Sequence, residues 1–144
     1  MYYKDIGVWV PDEEILGMKF LRHDRFFVLN FIGKPYIITA ERSGTNNLLG
    51  FGSDGKVYLL ETENNFARYA ADALAVFARE LKLFRDSKDG FSSENREERR
   101  EKVRVFADKI KRLDENAFSE DDSFWSVIVE QMIDSEYSKR YDYG

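Results

Sequence analysis

The chain has 144 residues, a formal net charge of −5 and no cysteine. The missing thiols exclude disulfides, thiolate catalysis and cysteine-based zinc sites, and acidity shared by both halves leaves no basic face of the size that nucleic-acid binding demands. With 43% apolar and 34% charged residues the balance is globular, and a chain of this length buries roughly two thirds of its unfolded surface without help from a metal.

The opening "MYYKDIGVWV" holds an acid and no long apolar centre, so no secretory leader is read there. No apolar run approaches the roughly 20 residues needed to cross a bilayer. Together these point to a soluble, cytoplasmic protein with no membrane partner. "GVWVP" reads as a short extended segment ended by Pro11, and "DEEILGMKF" as a helical turn or a loop.

From Arg25 to Thr62 the pattern is β. "RFFVLNFIG" and "KPYIITAE" are rich in aromatic and β-branched residues, and Pro35, which lacks a donor, belongs at a strand start or an edge. "LLGFGS" and "KVYLLET" flank Asp54-Gly55, a pair whose residues both accept positive φ and so mark a hairpin. About three or four antiparallel strands are expected.

Near Asn65 the apolar spacing shifts from two to three-and-four: Phe66, Tyr69, Ala70, Ala73, Leu74, Phe77, Leu81 and Phe84 predict a helix over 65–85. "REERREKVRVFADKIKRL" predicts a second helix over 95–113, with Val103, Phe106, Ile110 and Leu113 buried and with Glu98–Lys102 and Asp108–Arg112 as ion pairs. Its basic excess reads as a solvated face. A third helix is expected over 120–133, burying Phe124, Trp125, Ile128, Val129, Met132 and Ile133, while 135–144 reads as a loosely ordered tail. Strands followed by helices indicate an α+β fold, a central antiparallel sheet with helices around it, as a single domain over residues 1–144.

Three places invite chemistry. Glu120-Asp121-Asp122 precede the third helix. Ser119 as N-cap with Asp122 reaching back accounts for all three acids as a capped first turn, whereas a metal site would need further oxygen ligands at matched spacing. His23 is the sole histidine, next to Asp24 in "LRHDRF"; one imidazole excludes every two-histidine metal motif, and in a charged turn it reads as solvated. "GFGSDG" is followed by a strand rather than a helix, so Gly50, Gly52 and Gly55 read as close strand packing and a turn, not a phosphate loop. No nucleophile, base and orienting group come together. The residues describe a binding protein, not an enzyme, with no cofactor and no metal.

Three segments, "LLGFGSDGKVYLLE", "NNFARYAADALAVFAREL" and "KIKRLDENAFSEDDSFWSVIVEQM", resemble in their order the SUKH superfamily of bacterial immunity proteins, closest to its fourth subfamily. The most specific piece is the last, through Ile110, Leu113, Asp114, Ala117, Phe118, Asp121, Ser123, Phe124 and Trp125. The chain departs from the pattern at Tyr69-Ala70-Ala71, where an Asn-Ser-Ser-like signature is usual. The resemblance implies an antiparallel sheet with helices around it. It also implies direct binding of a cognate toxin, a nuclease or nucleic-acid deaminase, by a protein that does not itself touch nucleic acid. The alternative it leaves is an interaction scaffold like the related fungal cell-wall-synthesis regulators. Acids and aromatics outside the helical stripes are then the contact candidates: Asp86 and Asp89 after the first helix, and Tyr137 and Tyr141 in the tail.

Overall fold

A computed structural model describes residues 1–134. A small hairpin comes first, β1 (Tyr2–Tyr3) with β2 (Val8–Trp9). The main sheet follows: β3 (Met18–Phe20), β4 (Phe27–Phe31), β5 (Lys34–Arg42), β6 (Leu48–Gly52), β7 (Val57–Glu61) and β8 (Phe66–Ala71). Then come α1 (Leu74–Ser87), a 3-10 turn over Lys88–Ser92, α2 (Arg96–Leu113) and α3 (Phe124–Ile133). All pairings are antiparallel, in the order β3-β5-β6-β7-β8. The nine-residue β5 also takes β4 along the edge it offers β3, with Val28 opposite Ile37. The α+β architecture expected from the sequence is the one observed.

The Asp54-Gly55 hairpin forms where predicted. Gly55 has φ +79°, and the Asp54 carboxylate accepts the Lys56 amide at 3.0 Å. Gly50 sits where strand packing leaves no room: a Cβ there would lie 2.8 Å from the Ile37 carbonyl oxygen. Because that neighbour is backbone, Gly50→Ala is expected to destabilise by about 1–3 kcal/mol, read as a lowered urea midpoint.

Two bulges shape the sheet. In β5 the register slips between Ile38 and Ala40. Residues two apart ordinarily share a face, yet Ile38 enters one core cluster and Ala40 the other. The second slip, beside Val57, leaves Ala70 and Ala71 buried in succession on β8.

That second bulge corrects the sequence reading. Residues 66–71 are a strand, and the helix starts at Leu74, not near Asn65. Two adjacent buried alanines after Phe66 and Tyr69 imitate helical spacing, because a bulge inserts one residue into the strand period. Asn65, at φ +51°, is part of the tight turn that joins β7 to β8.

α3 is also shorter than predicted. It begins at Phe124 with Ser123 at its N-cap position, and Ser119 caps nothing. The Ser119 hydroxyl instead donates to the Asn116 carbonyl, and the buried Ser123 hydroxyl to the Ala117 carbonyl at 2.6 Å. These bonds hold 115–123 as turns, in competition with the helix. α2 starts after a regular cap, the Asn95 Oδ1 accepting from the amides of Glu97 and Glu98. Its ion pairs join Arg104 to Glu101 and Asp108, replacing the predicted Glu98–Lys102 and Asp108–Arg112 pairs. Val103, Phe106 and Ile110 are buried as expected, and Leu113 is half-buried.

The main core lies between one sheet face and the helices. Phe77, Phe84, Phe91, Phe106, Phe124 and Trp125 form a linked set of rings within it. The buried Arg99 ties the start of α2 to the end of α3 through the Ser93 and Ile133 carbonyls. The other face holds a smaller cluster, Phe31, Tyr36, Ile38 and Leu60 with half-buried neighbours, to which no helix contributes.

Candidate partner-binding surfaces

Asp86 and Asp89 are both exposed, but only Asp89 lies beyond the first helix. Asp86 is in the last turn of α1, paired with Arg85 at 3.0 Å. Tyr137 and Tyr141 lie outside the described residues.

His23 sits in a 3-10 turn over His23–Arg25, and it faces Asp5, not Asp24. Its Nδ1 is 3.4 Å from the Asp5 carboxylate, and its ring packs on Tyr3 and Phe26. An open depression gathers His23, Asp5 and Asp24. Asp24 is engaged by Arg22, and Asp5 is 78% exposed. Water therefore screens the group, and among the described residues no third residue orients the imidazole as a general base requires.

Glu120, Asp121 and Asp122 are exposed in the turns before α3. Their backbone is what the fold uses: the Glu120 carbonyl accepts from Ser126, and the Asp122 carbonyl from Arg68 at 2.6 Å. Among the described residues no three His, Asp or Glu side chains converge so as to hold a metal.

The carboxylates that do converge lie at the junction of β8, α1 and α2. The Tyr69 hydroxyl stands 2.6 Å from Asp72 Oδ1 and 2.7 Å from Asp114 Oδ2. One O–H cannot donate to both. The hydrogen bond from Tyr69 holds Asp72 below the usual carboxylate range, while burial raises Asp114. The hydroxyl donates to one carboxylate at a time, so Asp72 and Asp114 compete for it. Burial, reinforced by hydrogen bonds to Asp72 and Asp114, pushes the phenol itself up. Tyr69→Phe is expected to cost about 1–3 kcal/mol by leaving the buried Asp114 without this partner, seen as a lowered thermal midpoint at pH 7. Asp114 belongs to the motif that carries the family resemblance, and its work is to lock α2 onto the sheet.

Tyr69 ends a row of rings, Phe31, Tyr36, Tyr58 and Tyr69, with centroids 6.4, 5.7 and 6.1 Å apart on the helix-free face. Tyr58 donates to Asp54 at 2.9 Å. On the helical side, a cleft of about 780 Å³ opens beside α3. There Arg68 is paired with Glu61, and Arg42 lies over the Phe124 ring, 5.6 Å from its centroid. Both arginines also donate to backbone carbonyls, of Asp122 and Leu16 respectively, so the cleft is braced by its own polar groups.

Among the described residues the exposed large apolar side chains fall mainly in two groups, with Val105 on α2 standing apart. Tyr2, Ile6 and Trp9 stand on the β1–β2 hairpin, where Tyr2 and Trp9 are paired with ring centroids 4.8 Å apart. Phe27, Val28, Ile32 and Ile37 stand on and beside β4, whose outer edge pairs with no strand among the described residues. Val28 is 68% and Trp9 63% exposed. Residue types signalled neither group, since an edge strand and an inner strand share the same alternation.

The fold is an α+β domain whose main core lies on the helical face of its sheet. The SUKH-4 immunity protein family model matches residues 36–131, and the chain belongs to that family. No curated protein and no solved structure matches it. The match begins within β5 and ends within α3, so all of β1–β4 lies outside it. No helix of the described residues is long and apolar enough to cross a membrane.

Proposed function

We propose that the protein is a non-catalytic immunity protein that acts in the cytoplasm and neutralises a cognate toxin, a nuclease or nucleic-acid deaminase, by direct binding. The observation that carries this reading is the placement of exposed apolar side chains. Tyr2, Ile6, Trp9, Phe27, Val28 and Ile32 all fall before residue 36, outside the part of the chain that the family model describes, and only the two less exposed residues Ile37 and Val105 fall within it among the described residues. A shared scaffold bearing a private sticky surface suits a family whose members each meet a different partner. Aromatic anchors such as Trp9 are the side chains that dominate interface energies. The net charge of −5 adds steering toward the basic substrate groove of a nucleic-acid enzyme. Asp86 and Asp89 are assigned to the rim, where loss of charge alters association rate and salt dependence.

The test is co-expression with a toxin domain encoded beside the gene. Cells should survive with the intact protein, and a complex should elute on a sizing column. Val28→Asp with Trp9→Asp should abolish protection while the isolated variant keeps its melting midpoint, since both side chains are mainly in water. Cell death despite the intact protein, together with no complex, would sink this reading in favour of a scaffold.

A further inference from the structure

The outer side of the α1–α2 pair carries an open groove of about 410 Å³, lined by Arg79, Lys82, Leu83, Lys109, Arg112 and Leu113, with Asp86 also on its rim. Arg79 and Lys82 are one turn apart on α1, as are Lys109 and Arg112 on α2. None of these four cations has an ion pair or hydrogen bond among the described residues. Several arginines elsewhere are engaged, Arg68 by Glu61, Arg85 by Glu13 and Asp86, Arg104 by Glu101 and Asp108, and Arg99 by backbone carbonyls, while Arg25, Arg96 and Arg100 stand singly without such a partner among the described residues. The one acid on the rim, Asp86, is itself turned to Arg85.

The negative end of α2 accounts for cations in its final turns. It does not account for Arg79 and Lys82, which stand in the middle of α1. In a chain of net charge −5, gathering four unpaired like charges around two leucines creates a local field opposite in sign to the whole molecule. Screening confines such a field to about 8 Å at physiological ionic strength, so a short acidic segment seated in the groove meets the cations and not the distant acids. A long polyanion meets both, and the leucine floor offers nothing to a phosphate backbone.

We propose that the α1–α2 groove docks an acidic segment of a protein partner, its carboxylates on Arg79, Lys82, Lys109 and Arg112 and an aliphatic side chain on Leu83 and Leu113. This goes beyond toxin neutralisation and does not rest on it: the contacting side chains are different and the charge preference is the reverse, although Asp86 borders both surfaces.

The probe is a fluorescein-labelled synthetic peptide of glutamate and leucine, followed by fluorescence anisotropy with the full chain. Saturable binding is expected, weakening as salt rises. Arg79→Glu with Lys109→Glu should weaken it by at least about tenfold, and Leu83→Ser should weaken it at every salt concentration. Unchanged urea midpoints show that the variants fold, and Arg79→Ala with Lys109→Ala serves if the reversal does not. Two further arms use a thymidine oligonucleotide and vesicles of phosphatidylcholine with phosphatidylserine. Absent peptide binding, binding indifferent to the substitutions, or binding of oligonucleotide or vesicles as tight as that of peptide overturns the proposal.

Discussion

Trp125→Ala is expected to lower stability by about 3–5 kcal/mol, the range for removing a large buried aromatic. The indole is fully buried and touches the rings of Phe77, Phe84, Phe106 and Phe124, which come from α1, α2 and α3. Its loss opens one cavity at the point where all three helices meet. Against a typical total of about 5–15 kcal/mol, the variant should be close to unfolded in mild denaturant. An unchanged urea midpoint would contradict the placement of the indole in the core.

Replacing Glu80 by leucine should do the opposite. Glu80 is fully buried on α1, and neither carboxylate oxygen has a hydrogen-bond partner among the described residues. Burial, reinforced by the charges of Asp114 and Asp72, raises it from the ordinary value of 4.5 to about 9; the neighbouring Trp125 indole opposes the rise but closes no hydrogen bond. Between those two values the folded chain keeps a proton that the unfolded chain has released. Stability therefore falls as pH rises across that window and levels off above it. At roughly 1.4 kcal/mol per pH unit, Glu80→Leu should stabilise by about 3–5 kcal/mol at pH 8 and by much less near pH 5. Urea midpoints at pH 5, 7 and 9 measure this. A slope as steep in the variant as in the parent would show that Glu80 is not its source. A shallower residue is expected from Asp114, which is raised for the same reason.

Much of the fold was legible wherever local chemistry and tertiary outcome agree. Asp54-Gly55 has a turn in its covalent nature, and the stripe Val103, Phe106, Ile110 repeats on one helix face. Legibility failed where the sheet bends its own period. Ala70 and Ala71 are adjacent and both buried, a pattern that a regular strand forbids and a bulge permits. Ser119 misled for another reason. A serine followed by acids satisfies the local rule for a cap, but its hydroxyl found the Asn116 carbonyl first.

The motif behind the family resemblance lies mostly in the core, Asp121 being its exposed member. Ile110, Asp114, Ala117, Ser123, Phe124 and Trp125 are all buried. The candidate surfaces escaped notice because exposure belongs to the assembled sheet. Val28 and Leu29 look alike in sequence, but as neighbours on β4 they face opposite sides, and only Leu29 meets the second cluster.

That edge also bears on how the protein behaves when its partner is absent. Among the described residues β4 offers unpaired backbone groups beside Phe27, Val28 and Ile32, without the proline, bulge or inward charge that usually blunts such a strand. Two copies brought together at high concentration present each other with the same invitation. Self-pairing and precipitation then compete with solubility, and a charge of −5 is the main colloidal brake on them. Dilution favours the single copy over such pairing, and a ligand seated along β4 would remove the invitation altogether.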